Sequence, residues 1–119
     1  RDNWDKARKY IKNDVHYILG KKKWKTVVTH NPDGEYGHTH HQMTSYIVSK
    51  DSRVDMNQLV YFGKYYRKKN MPHNLNSISQ SDLKKKMKLT SMYSSQSKVM
   101  DHLGHMLPHE NWVKAKDWR

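Results

Sequence analysis

The stretch Val28–Met43, VTHNPDGEYGHTHHQM, decides how the rest of the chain is read. On its N-terminal side, Trp24 to His30 alternates in polarity and is rich in β-branched residues, which predicts a strand. Asn31-Pro32-Asp33-Gly34 follows as a strong turn signal, because proline presets φ and glycine accepts φ > 0. Tyr36 to Val48 reads as a second strand, so the two make an antiparallel hairpin.

Residues two apart on a strand share a face. His38 and His40 are therefore expected to project together, roughly 6 to 7 Å apart by strand rise, with His41 pointing the other way. His30, just before the turn, joins them if the register sets it opposite either one. His30, His38 and His40 are thus the candidate metal ligands. A three-histidine site with open positions suits a catalytic divalent cation that polarises a phosphate. The competing reading of each histidine is surface decoration, since nine histidines are many for this length.

Outward from the hairpin, Trp4, Ala7, Ile11, Val15 and Ile18 follow helical spacing over residues 3 to 19, and Gly20 suits a helix stop. Residues 55 to 69 look helical, with Met56, Leu59, Phe62 and Tyr66 on one face, and Met71-Pro72 ends that helix. Residues 74 to 79 read as a short strand. Ser81 or Asp82 caps a further helix running to about Leu103, closed by Gly104 and Pro108. The tail, with Trp112, Val113 and Trp118, packs back on the sheet. The order implies an α+β fold, a central antiparallel sheet with a metal-binding hairpin, flanked by helices.

With 119 residues the chain suits one compact domain, residues 1–119. Its first residue, Arg1 rather than Met, predicts a segment of a longer protein. Only 34% of residues are hydrophobic, so the core must be thin. No cysteine is present, which excludes disulfides, thiolate metal sites and cysteine nucleophiles. No run of about 18 apolar residues exists to make a membrane-spanning helix, so no membrane partner is expected. Net charge is +12, an excess that points to an anionic partner, nucleic acid before membrane. The cations cluster at Lys21, Lys22, Lys23 and Lys25, at Arg67, Lys68 and Lys69, and at Lys84, Lys85, Lys86 and Lys88, with Lys98 beyond. Spaced clusters of this kind track phosphates along a groove. Among eight tyrosines, Tyr93 lies on the last helix beside lysines that favour a phenolate; Tyr65 and Tyr66, next to Lys64 and Arg67, are rivals.

The quoted stretch resembles the metal-binding hairpin of the His-hydrophobe-His replication initiator nucleases. It is most similar to the nuclease domain that begins the large non-structural replication protein of parvoviruses, including the densoviruses. In that family an acidic ligand ends one strand and Gly-x-His-x-His begins the next; here Gly37 precedes His38-Thr39-His40, and His30 falls near the acidic position. The resemblance implies nicking of single-stranded DNA at a replication origin, initiating rolling-circle or rolling-hairpin replication. It implies Mg or Mn as cofactor and a tyrosine, here Tyr93, that becomes linked to the 5′ phosphate. It also implies assembly with further copies through neighbouring domains, and residence in the host nucleus for a viral protein. Three positions depart from the pattern. Thr39 stands where a large hydrophobe is usual, the third ligand is His30 or Asn31 rather than Glu, and Gln96 stands three residues after the tyrosine where lysine is common. Two other readings remain: a non-catalytic nucleic-acid-binding module, with bases stacking on residues such as Trp24 or Tyr61, and a metal nuclease in which water attacks.

Overall fold

The computed structural model describes residues 4–92 and 103–119, and the chain divides into two compact units. One comprises residues 1–63 and 112–119, the other 64–111. The α+β class expected from the sequence holds.

The first unit carries α1 (Trp4–Leu19), β1 (Val27–Thr29), a single kinked turn α2 (Gly34–Gly37), α3 (Thr39–Ser49), β2 (Leu59–Phe62) and β3 (Trp112–Lys114). The strands form one sheet in the order β1-β2-β3. β1 pairs parallel with β2, Val27 opposite Leu59 and Thr29 opposite Tyr61; β3 pairs antiparallel with β2, Val113 opposite Tyr61. The sequence Leu59-Val60-Tyr61-Phe62 alternates in burial, so Leu59 and Tyr61 face inward. With Val48 and Ala115 they make the core, and Val15, Val27, Val54 and Trp118 pack around it. The Tyr61 hydroxyl is satisfied by Ser49 Oγ at 2.8 Å. Across the far ends of α1 and α3, His16 Nδ1–H donates to the Asp51 carboxylate at 2.9 Å, and the Asp51 side chain is only 4% exposed.

The described residues of the second unit include α4 (Gln80–Ser91) and the 3-10 turns Lys68–Asn70 and Gly104–Met106. Ser79 caps α4 by accepting from Asp82 N. No described residue of α4 is buried. Polar ties hold this unit: Lys86 Nζ donates to Leu107 O and the Glu110 carboxylate, and His105 Nε2–H donates to Tyr66 O.

Three sequence expectations are corrected. The antiparallel hairpin is not formed, because residues 39–49 are helical: His41, Ser45 and Val48 turn toward the interior at helical spacing, and His38 supplies the cap. The sheet is accordingly mixed: it contains β1, from the first half of the expected hairpin, and not the histidine-bearing second half. Residues 55–69 are not a helix, since the aromatic and β-branched run at 59–62 pairs as β2 once the Asp51 and Asp55 side chains turn the chain by accepting from Arg53 N and Asn57 N. Residues 74–79 form no strand; the Ile78 N–H bonds Pro108 O rather than a neighbouring ladder. The C-terminal tail does return to the sheet, as β3.

Leu59 is fully buried at the centre of β2. Leu59→Ala is expected to cost about 2–5 kcal/mol in urea unfolding, through lost burial and the cavity left behind. A cost within about 0.5 kcal/mol, the range of neutral surface changes, would place the stabilising core elsewhere.

Candidate metal centre

The site is built at the end of β1. Asn31 follows the strand and is fully buried. Its Oδ1 accepts from Asp33 N and Glu35 N, both at 3.0 Å, and its Nδ2 donates to Phe62 O and Gly63 O, both at 3.1 Å. One side chain therefore folds the turn and fastens it to the end of β2. The turn is unusual in conformation. Gly34 has φ +66, and a Cβ there would lie 2.7 Å from Gln42 Cγ and 3.2 Å from Gln42 N. Glu35 also has positive φ, at 60°, which costs a residue with a side chain about 1–3 kcal/mol.

That conformation returns the Glu35 carboxylate over the end of β1. Oε2 accepts from Asn31 N at 2.8 Å. Oε1 accepts from Nδ1 of His30 at 2.7 Å and Nδ1 of His41 at 2.9 Å. An ionised carboxylate only accepts, so each Nδ1 carries a proton toward it. The two imidazoles stack, centroids 3.9 Å apart and 6° from parallel. His38 stacks on the other side of His41, at 4.2 Å and 15°. Its Nδ1 accepts from His40 N as the cap of α3, so its proton sits on Nε2, the tautomer opposite to that of the other two rings. Phe62 and Tyr36 meet these rings edge-on, Phe62 against His30 and Tyr36 against His38 and His41.

His30, Glu35 and His41 are a group that could hold a metal ion, each half-buried and each offering one ligand atom within 4.8 Å of the others. Two imidazoles and a carboxylate are a recurrent donor set for catalytic divalent metals. Of the three ligands expected from the sequence, His30 is in the group. His38 and His40 are not: the His38 ring stacks on His41, three residues on, and stands tilted 5.2 Å from His40. His40 instead receives the Trp4 indole N–H, tying α3 to the start of α1. Asn31, the alternative third ligand, has its amide fully engaged. Glu35 and His41 were missed because strand spacing turns His41 away and gives Glu35 no part. Helical spacing over His38, His41, Ser45 and Val48 was the signal available.

Lys21, Lys22, Lys23 and Lys25 are exposed between α1 and β1 in the first unit. Arg67, Lys68, Lys69, Lys84, Lys85 and Lys88 are exposed in the second, where Lys86 is committed to Leu107 and Glu110. Tyr65 and Tyr66 are half-buried there, the Tyr65 ring edge-on to His105. Tyr93 and Lys98 lie outside the described residues.

Burial holds the His41 imidazole below the usual histidine range; the adjacent His30 acts in the same direction and the Glu35 carboxylate opposes it. At neutral pH His41 is therefore a neutral donor to Glu35, in the state a metal needs.

No family model matches the sequence, and no solved structure matches it. The chain is 30% identical over 115 residues to an uncharacterized protein of Acanthamoeba polyphaga mimivirus. The match covers 97% of this chain and 44% of that protein, so the chain spans less than half of its relative's length.

Because the folded pKa of His41 lies below its unfolded value, the folded state binds fewer protons than the unfolded one through this group. Its stabilising effect is complete above pH about 6.5 and is lost as pH falls through the folded pKa. In the metal-free protein the NMR titration of the His41 ring is expected to have its midpoint below about 6.5. His41→Gln should shallow the decline in melting temperature on the acid side. A midpoint above that value would mean that Glu35 outweighs burial.

Proposed function

We propose that this chain is a metal-dependent endonuclease acting on single-stranded DNA, with His30, Glu35 and His41 holding a divalent cation. The observation that carries this reading is the convergence of one carboxylate and two imidazoles in a turn kept at positive φ. The net charge of +12 supports a polyanionic substrate. Two nitrogen donors favour Mn, or a later transition metal, over Mg, which takes oxygen ligands in near-ideal octahedral geometry. A cation bound there would polarise the scissile phosphate. Glu35 Oε1 accepts from Nδ1 of both rings and so holds the three donors together; a cation bound by all three would take the place of those two hydrogen bonds. The exposed lysines hold the strand by its phosphates; Lys86, already partnered, contributes least.

In the nicking form of this reading, the Tyr93 oxygen attacks phosphorus, the 3′ oxygen leaves, and the 5′ phosphate stays on the tyrosine, as expected of an origin-nicking initiator. Hydrolysis by water is a second reading. It is favoured by the helical setting of His38-Thr39-His40, which removes the strand-borne pair characteristic of the initiator family.

A labelled single-stranded DNA pool containing candidate origin sequence, incubated with Mn and run on a denaturing gel that retains protein, tests both. Cleavage should vanish with chelator and fall at least about 100-fold in Glu35→Gln and His41→Ala, and Mn affinity of Glu35→Gln should weaken by calorimetry by at least the roughly 10–100-fold that losing an outer partner of a ligand costs. His40→Ala should keep Mn binding. A protein-linked band lost in Tyr93→Phe identifies tyrosine as nucleophile, and cleavage without such a band identifies water. Full cleavage by His41→Ala would refute the site.

A further inference from the structure

β1 and β2 run parallel, so both begin at one end of the sheet and finish at the metal centre. At their starting end lies a cleft of about 560 Å³, lined by Leu19, Lys22, Lys23, Trp24, Arg53 and Gln58. This volume falls within the ~300–1,000 Å³ typical of small-ligand sites.

The walls of the cleft are fixed. The Trp24 indole N–H donates to Ile18 O at 3.1 Å, and the Trp24 carbonyl accepts from Gln58 Nε2 at 2.7 Å. Arg53 is held at both ends, its backbone N–H on Asp51 Oδ1 and its Nη1 on His16 O. The guanidinium lies against Gly20, where a Cβ would collide with it. Gln58 is spent on both sides of its amide, since Oε1 accepts from Asp55 N. The unspent polar groups of the lining side chains are thus donors: the Lys22 and Lys23 ammonium groups and the remaining guanidinium N–H groups of Arg53. No lining residue is acidic. A matching ligand carries negative acceptors and a flat apolar face. Lys22 Nζ rests 4.3 Å from the Trp24 ring centroid, so the indole already receives a cation on its face.

We propose that this cleft binds one nucleotide of a single-stranded DNA, its base stacked on Trp24 and its phosphate held by Lys22, Lys23 and Arg53. An exposed cation–π contact is weaker than a base–indole stack, so an arriving base displaces the Lys22 ammonium onto the phosphate. Trp24 precedes β1 and His30 follows it, so cleft and metal centre lie at most about 20 Å apart, the reach of six extended residues. A strand lying along the sheet would be gripped several nucleotides from the phosphate that is cut. The choice of DNA as ligand rests on the proposed nuclease function; the geometry of the cleft does not depend on the metal centre.

The test is fluorescence anisotropy of a labelled oligothymidylate with the full chain in chelator, where the metal centre contributes nothing. Trp24→Ala should weaken binding about fivefold or more, and Trp24→Phe should stay within about twofold of the parent. The double variant Lys22→Gln/Lys23→Gln should reduce the log–log salt slope by about 1.4. The equally charged control Lys9→Gln/Lys12→Gln, on the exposed face of α1, should change it far less. Affinity unchanged within about twofold in Trp24→Ala, or an equal slope change in the control, overturns the proposal. In case Trp24→Ala does not fold, photo-crosslinking of the unmodified protein to a bromodeoxyuridine oligonucleotide should yield an adduct at Trp24, and adducts confined to other residues would overturn it. A protein that binds through Trp24 yet never cleaves retains the cleft and loses the nuclease. One that cleaves and ignores Trp24 does the reverse.

Discussion

The buried amide of Asn31 is the constraint on which the site depends. Its two donors and two acceptor positions are all used, the acceptors to fold the turn and the donors to fix that turn to the end of β2. Without the contacts to Phe62 and Gly63, the turn would belong to β1 alone. Without those to Asp33 and Glu35, the chain would not reverse tightly enough to bring a carboxylate back over His30. Burying an amide is costly unless every polar atom is met, and here each is. Sheet and candidate metal centre are thus joined by one side chain, and the strain at Glu35 is borne by a turn fastened on both sides.

The rest of the molecule is economical by comparison. Among the described residues the core cluster of Val48, Leu59, Tyr61 and Ala115 is small, and much of the organisation comes from polar fastenings. Asp51 and Asp55 turn the chain toward β2, His16 ties α1 to the residue after α3, and Trp4 ties it to His40. These side chains draw the ends of helices together where little apolar surface is available. The positive charge is left largely outside these fastenings, at lysines exposed to solvent.

How much of this was legible in the sequence follows from the ambiguity of period. Trp4, Ala7, Ile11 and Val15 carry an unambiguous helical repeat, and α1 forms where it predicts. The β-branched run before His30 gives β1, and the turn signal at 31–34 marks a genuine reversal. Tyr36 to Val48 is short, histidine-rich and compatible with either period, and local pattern did not decide it. What decides it is tertiary: α3 must cover the sheet and cross from β1 to a parallel β2, which a tight hairpin cannot do. The misassigned period then selected the wrong histidine partner, since two-residue spacing pairs His38 with His40 and helical spacing pairs His38 with His41. Glu35 was hidden for a different reason, as its position depends on a backbone conformation that sequence pattern does not signal for a residue with a side chain. At 59–62 the same conflict of periods ran the other way, and pairing with β1 and β3 settled it.

The three residues of the candidate metal centre lie within a short run of chain, from His30 to His41. Sites assembled from distant segments exist only in the folded molecule, and an ion bound to them stabilises the fold by nearly its full affinity. A site whose ligands are sequence neighbours retains part of its affinity in the unfolded ensemble, where loop closure over a dozen residues costs little. Any metal that partitions to both states shifts the folding equilibrium only by the difference between them. Loading of this candidate centre with a metal would therefore be only weakly coupled to folding of the sheet: a nascent chain carrying only this stretch could already begin to collect an ion that the finished turn would position.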